Sequence, residues 1–409
     1  MNIWLINHYA VPPKYYPLAR QTCFAKHLMA MGHNVTIFAA STVHNSDQNL
    51  ITDGSRWREE TDDGVHYVYI KCMDYAGSGL KRIYNICEFA WKLPGVCKKF
   101  PKPDAIVATS MPPTSCAVGV KLARKYGCKG IAEIADLWPE SIVAYDIAGP
   151  RNPAVVALRW LEKWIYKKAD AVVFTMENAY QYIEDMHWQK QIPREKVHYV
   201  NNGVDLALFE YNKEHYHVED VDLEDESSFK VIYTGSIRKV NNLGLLLDAA
   251  KKVTDGRIRF LIWGGGDELP ALQQRVVDEQ IQNVIFKGKV DKAYIPYIVS
   301  KADLNIAHNT PSPLFRYGIS FNKLFDYLAA GKPILSDFSC GHNPAVIFGA
   351  SIEVTEPTPE NIARAIETVT NMEPDEYHRL CANAKAAAVE YSFENLTKKL
   401  SCLIQNISK

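Results

Sequence analysis

No stretch of the 409 residues approaches the run of about 18 apolar residues that a membrane-crossing helix needs. The opening MNIWLI is apolar but too short for a signal peptide, and no basic segment precedes it, so it is expected to be a first buried strand. The nine cysteines include no C-x-x-C pair and are odd in number. That excludes the usual zinc-site spacing and argues against a disulfide framework, so free thiols in a reducing cytoplasm are expected. A net charge of −1 leaves no global electrostatic attraction to nucleic acid, and no nucleic-acid partner is expected. The loop after the first strand, residues 8–16, contains no glycine, which counts against a nicotinamide dehydrogenase with G-x-G-x-x-G there. Asp220 with Asp222, in an acidic stretch, is the one Asp-x-Asp that could stand at a cleft-facing strand end, and neither metal nor cofactor is expected.

What the chain does contain is an alternation of short apolar runs with helical periodicity, the pattern of a doubly wound α/β sheet. In the first half, strands are expected over 3–7, 34–39, 65–70, 105–109, 130–133, 171–175 and 197–200. Helices are expected over 19–31, closed by Gly32, and over 115–126. Residues 219–226 then carry six acidic residues in eight, read as a solvated linker or loop. A second alternation follows, with strands over 230–233, 257–263, 284–286, 304–307, 333–336 and 351–354. Helices are expected over 243–253, 269–280, 322–330 and 359–371, and over 374–405 with a break at 391–393. The length exceeds what one core usually holds. The expected domains are therefore 1–205 and 230–385, a linker 206–229 between them, and a C-terminal helix 386–409 that crosses back to the first domain. Two such sheets joined by a linker place the default ligand site in a cleft at the carboxyl ends of their strands.

The segment from Tyr317 to Leu335, YGISFNKLFDYLAAGKPIL, is the richest in chemistry. Ser320 suits a helix N-cap and Gly331 a helix stop. Phe321, Leu324, Phe325 and Leu328 make an apolar face, while Asn322, Lys323 and Asp326 share the other. The helix N-terminus offers N–H groups to a phosphate, Lys323 adds a cation, and Asp326 is placed to accept from two hydroxyls. The same pattern also fits an ordinary amphipathic helix with a charge pair three residues apart.

Ser320, Asn322, Lys323, Leu324, Phe325, Asp326 and the Gly331–Pro333 stop resemble the donor helix of glycosyltransferase family 4, whose fold is GT-B: two Rossmann-like domains facing across a cleft. The family's second motif Glu matches Asp326, which implies contact with the nucleotide ribose; its first falls on Gly318, so that sugar-contacting carboxylate is missing. The segment is similar to that of a subgroup serving capsule and O-antigen assembly with amino sugars. The resemblance runs on through NNGVD at 201–205 with Phe209, the interdomain crossing, and through YTGSIRKVNN at 233–242, the phosphate-contact loop. There Gly235, Ser236, Arg238 and Lys239 stand where the family binds phosphate, and Arg238 is suited to bidentate contact. The IWGGGDE run at 262–268 places Gly265 beside the nucleotide, and DLWPES at 136–141 resembles a subgroup signature. Asp136 is either a contact to sugar or acceptor or a helix N-cap, and the two roles can coexist.

The resemblance implies a retaining, metal-independent hexosyltransferase in which Asp136, Arg238 and Lys323 are catalytic. The donor is a nucleotide sugar, taken as UDP-linked, and the acceptor a polyprenyl-linked or other glycan. Basic helical stretches with aromatics, 80–100 and 159–168, fit either sheet-covering helices or peripheral contact with the inner face of the cell membrane. Two other functions share the architecture: a sugar-nucleotide 2-epimerase, and a non-catalytic nucleotide-sugar-binding partner subunit.

Overall fold

The computed structural model describes residues 1–16, 20–44, 46–75, 77 and 79–408. They fall into two compact units, Met1–Asn201 with Phe393–Lys409, and Asn202–Ser392.

The first unit is built on β1 (Asn2–Ile6), β2 (Asn34–Ala40), β3 (Trp57–Asp62), β4 (Val65–Ile70), β5 (Ala105–Ser110), β6 (Lys129–Ile134), β7 (Ala171–Phe174) and β8 (Val197–Tyr199). Their order is β3-β4-β2-β1-β5-β6-β7-β8. All neighbours are parallel except β3, which runs antiparallel to β4. The seven apolar runs became strands within a residue or two of their expected bounds. β3 escaped because its sequence, WREETD, leaves no residue fully buried, so apolar periodicity is silent there. Its charges suit an edge strand, where they discourage pairing with another chain.

The helix expected over 19–31 is Arg20–Ala30, and Ala19 lies outside the described residues. Helices Leu80–Cys97, Pro113–Tyr126 and Pro153–Lys168 make the crossovers from β4 to β7, and Pro113–Tyr126 packs against both of the others. Pro153–Lys168 is capped by the Asn152 side chain, which accepts from the Ala154 N–H. It is pinned inward by Glu162, whose carboxyl takes hydrogen bonds from Tyr166 (2.7 Å) and Tyr182 (2.8 Å). Burial pushes that carboxyl up to about 8. The final helix, Phe393–Ser408, belongs to this unit and packs on Arg20–Ala30, with the rings of Phe24 and Phe393 5.7 Å apart.

The second unit holds β9 (Phe229–Ser236), β10 (Ile258–Gly265), β11 (Val284–Gly288), β12 (Leu304–Ala307), β13 (Ile334–Ser336) and β14 (Ser351–Glu353), all parallel, in the order β11-β10-β9-β12-β13-β14. This is the doubly wound order whose direction of winding reverses between β9 and β12, where such sheets bind ligands. Residues 206–229 are not a solvated linker. They form helices Leu206–His215 and Val221–Glu224 within this unit, and Leu223 is fully buried beside Ile232, Leu261, Trp263 and Ile298. Asp220 and Asp222 both bind the Lys287 ammonium, and Glu224 binds Tyr297 and Lys301. An acidic run looks solvated in sequence; here three of its six charges, Asp220, Asp222 and Glu224, are matched by Lys287 and Lys301.

Candidate functional site

Three segments of the second unit meet at the switch point: the loop after β9, the glycine turn after β10, and the helix Asn322–Ala330 that follows β12. The first two touch through backbone. The Ile237 N–H donates to the Gly265 carbonyl at 3.0 Å. A Cβ on Gly264 would lie 1.8 Å from the Gly235 carbonyl oxygen, and one on Gly266 2.0 Å from that of Ile237. No side chain fits between two strands' loops at that separation, so the glycine run is a packing requirement of the site. Gly266→Ala should therefore destabilise this unit by about 2 kcal/mol, as overpacking against backbone does, lowering its denaturation midpoint. An unchanged midpoint in urea would show that the loops open without cost.

The third segment enters through Lys323. Its ammonium sits 4.3 Å from the centre of the Tyr233 ring, 3.3 Å from that residue's hydroxyl and 3.1 Å from the His308 carbonyl. The Tyr233 hydroxyl in turn donates to the Ser236 carbonyl at 2.9 Å. One side chain thus ties the helix to the loop after β9. Desolvation lowers the Lys323 ammonium to about 7, against the opposing pull of the Asp337 carboxylate. Asp326, one turn on, is raised by burial, and the Lys292 ammonium at 3.8 Å only partly offsets this. Tyr327 locks the underside of the helix: its hydroxyl accepts from the Thr234 N–H at 2.9 Å, and burial pushes it up to about 12.

Ser320 is not the N-cap. Phe321 occupies that position in extended conformation with no side-chain cap, and the helix starts at Asn322 as expected. The Ser320 hydroxyl and carbonyl are instead taken by Asn202, which donates its N–H (3.4 Å) and its side-chain amide (3.2 Å). Among the described residues the N-cap side chain therefore gives no cap to the first-turn N–H groups. Gly331 ends the helix in left-handed conformation, as expected. Gly235, Ser236, Arg238, Lys239 and Asn322 are exposed, with the Ser236 hydroxyl donating to Asn241 Oδ1 at 2.8 Å. Neither Arg238 nor Lys239 makes an ion pair among the described residues, so both remain available to an anion.

Two residues at this switch point have no signal in local sequence pattern. His308 and Asp337, at the carboxyl ends of β12 and β13, are both buried and joined through Nδ1 and Oδ2. The other ring nitrogen donates to the Asn242 carbonyl at 2.8 Å, bracing the far end of the loop after β9. Asp337 Oδ1 has no hydrogen-bond partner among the described residues. Their position at strand ends beside a reversal was the available clue.

Asp136 lies in the first unit, after β6. It caps no helix: the short helix Glu140–Ala144 starts after Pro139, without a side-chain cap. The Asp136 carboxylate is open to solvent yet crowded enough that desolvation raises its pKa. It has no hydrogen-bond partner among the described residues. Behind it, on β6, Glu133 is buried against Arg20 (3.0 Å) and the Thr109 hydroxyl (2.7 Å). The Arg20 guanidinium also donates to the Val200 and Asn201 carbonyls at 2.9 and 2.5 Å.

Two family models match the chain in succession. The family described as Glycosyltransferase Family 4 matches residues 22–208, and the one described as Glycosyl transferases group 1 matches residues 228–371. The chain belongs to glycosyltransferase family 4. Among relatives of this family-4 chain is a putative teichuronic acid biosynthesis glycosyltransferase, TuaH of Bacillus subtilis, 25% identical over 50% of this chain and 49% of its own length. The match thus spans about half of that relative. A putative colanic acid biosynthesis glycosyl transferase, WcaI of Escherichia coli, is 22% identical over 68% of this chain and 69% of its own length. The solved structure of Anabaena HepE in complex with UDP aligns with a TM-score of 0.66 at 13% identity, covering 99% of each chain. Both units have the Rossmann-like sheets of the GT-B fold.

Proposed function

We propose that this family-4 protein transfers a sugar from a UDP-linked donor to a polyprenyl-linked or other glycan acceptor in surface polysaccharide assembly, at the inner face of the cell membrane. The observation that carries the reading is the Lys323 junction. A partly buried ammonium joins an uncapped helix start to a glycine loop carrying two free cations, and a carboxylate lies one turn along the helix. That is a receptor for a diphosphate with a polyhydroxylated group beside it. The names of TuaH and WcaI support polysaccharide assembly, and the HepE complex supports UDP.

In this reading the bond between the anomeric carbon and the diphosphate oxygen breaks, and the charge left on UDP is met by Lys323, Arg238 and the first-turn N–H groups. The acceptor hydroxyl attacks from the same face, so configuration is retained, and its proton passes to the departing phosphate. No metal takes part. Asp136 orients the acceptor or the transferred sugar, an N-acetylated or deoxy amino sugar. Thermal denaturation in the presence of UDP, GDP and dTDP, followed by incubation with the matching nucleotide sugars, tests this. UDP is expected to raise the midpoint most, and the UDP-sugar is expected to persist unchanged without acceptor. A shift with GDP alone, or conversion of the free donor to its 2-epimer, would refute it.

A further inference from the structure

Helices Leu80–Cys97, Pro113–Tyr126 and Pro153–Lys168 pack side by side in the first unit, and their outward surfaces combine exposed apolar side chains with cations. On the first, Leu80 (84% exposed), Tyr84, Cys87 and Trp91 (80% exposed) follow one another at spacings of four, three and four residues. They form a single stripe along the helix. On the third, Val156 and Trp160 (77% exposed) repeat that arrangement. Between them, the exposed residues of Pro113–Tyr126 are Lys121, Arg124 and Lys125, all cations. Lys81, Lys98, Lys99 and Lys167 extend the positive border, and none of these seven makes an ion pair among the described residues. The three helices contain two carboxylates, both withdrawn. Glu88 is held by the Met73 N–H and Lys92, and Glu162 is buried.

The structure divides the basic and aromatic residues of these stretches between the sheet-covering side and the outward surface. Phe89 and Tyr166 are core residues, and Arg159 is neutralised by Glu140. What remains outward is the subset at helical spacing.

We infer that this three-helix face is a docking surface for an anionic lipid bilayer. Tryptophan and tyrosine suit the headgroup boundary, leucine the acyl region below it, and unpaired lysine and arginine the negative surface. A protein partner's apolar patch would match the tryptophans but would leave a row of cations without counter-charge. No helix among the described residues is long and apolar enough to cross a membrane, so docking is peripheral. The inference deepens the proposed lipid-linked acceptor, but it rests on a surface separate from the donor residues and is tested without sugar transfer.

The full chain is to be sedimented with vesicles of phosphatidylcholine alone and of phosphatidylcholine mixed with phosphatidylglycerol. Wild type is expected to pellet with the anionic vesicles and to be released by salt. The double variant Trp91→Ser, Trp160→Ser should bind at least tenfold more weakly, since each exchange removes a large apolar side chain that inserts. Lys121→Glu and Arg124→Glu should each weaken binding by roughly fivefold or more. All these positions are exposed, so UDP-induced thermal shifts serve as the folding control. If UDP shifts neither protein yet wild type pellets, the donor reading fails and the docking surface stands. Wild type remaining in the supernatant, or the tryptophan variant pelleting equally, overturns the inference. So does a wild-type dimer that the tryptophan variant converts to monomer without vesicle binding, which would assign the face to a second copy.

Discussion

Lys323→Met is expected to lower turnover by about 100- to 1000-fold, the effect of removing one preorganised group that stabilises developing charge. Burial has brought this ammonium to about 7, so the free protein holds it charged and neutral in comparable amounts near neutrality. A bound diphosphate favours the charged form and draws in a proton. UDP affinity should therefore be flat with respect to this group below pH 7, then fall toward tenfold per unit above it. The Met variant should lose the alkaline fall together with the affinity, and calorimetric titration of UDP at several pH values reads both. The same shift acts on stability in a defined direction. Between about 7 and the unfolded value of 10.5 the unfolded chain binds the proton that the folded chain releases, so stability rises with pH through that window. The cost of burying the charge is fully present below pH 7. The Met variant should consequently be at least as stable as wild type at pH 6. Lost activity with a lowered midpoint at that pH would mean that the residue is structural.

Asp326→Ala should raise the dissociation constant for UDP by roughly 10- to 100-fold, the range for hydrogen bonds to a charged acceptor. Turnover at saturating donor should change little, because ribose contacts hold ground state and transition state alike. Burial raises this carboxyl, so its ionised form already costs the fold at neutral pH, and removing it should not destabilise the unit. A large drop in turnover with unchanged donor affinity would move Asp326 from binding to chemistry. Lys292, which reaches Asp326 across 3.8 Å, would then be the next residue to exchange.

Gly318 bears on which sugar is carried. It is buried with φ +114°, a conformation that L side chains rarely adopt. A Glu at this position would be strained, so this backbone does not readily accept the motif carboxylate. In the proposed reading, sugar contacts then come from residues elsewhere in the site.

The sequence by itself determined the two alternations, all thirteen of its expected strands, and the bounds of the helix Asn322–Ala330, including its Gly331 stop. These follow from apolar period and terminal residues, which act over one or two turns of chain. It also placed Lys323 and Asp326 on one helix face, because a spacing of three fixes that wherever the helix lies. The tertiary structure decided what those side chains meet. Lys323 rests on Tyr233, 90 residues away, and Tyr327 on Thr234, 93 away; His308 pairs with Asp337 across 29. It withheld the N-cap role from Ser320 by giving that residue to Asn202 and drew part of the acidic run against Lys287. It also sorted the aromatics of the outer helices into core and surface. The contacts of Lys323, Tyr327 and His308 depend on loops from separate strands converging at one sheet edge, and the sorting of the aromatics on helices packing together; local periodicity carries no information about either.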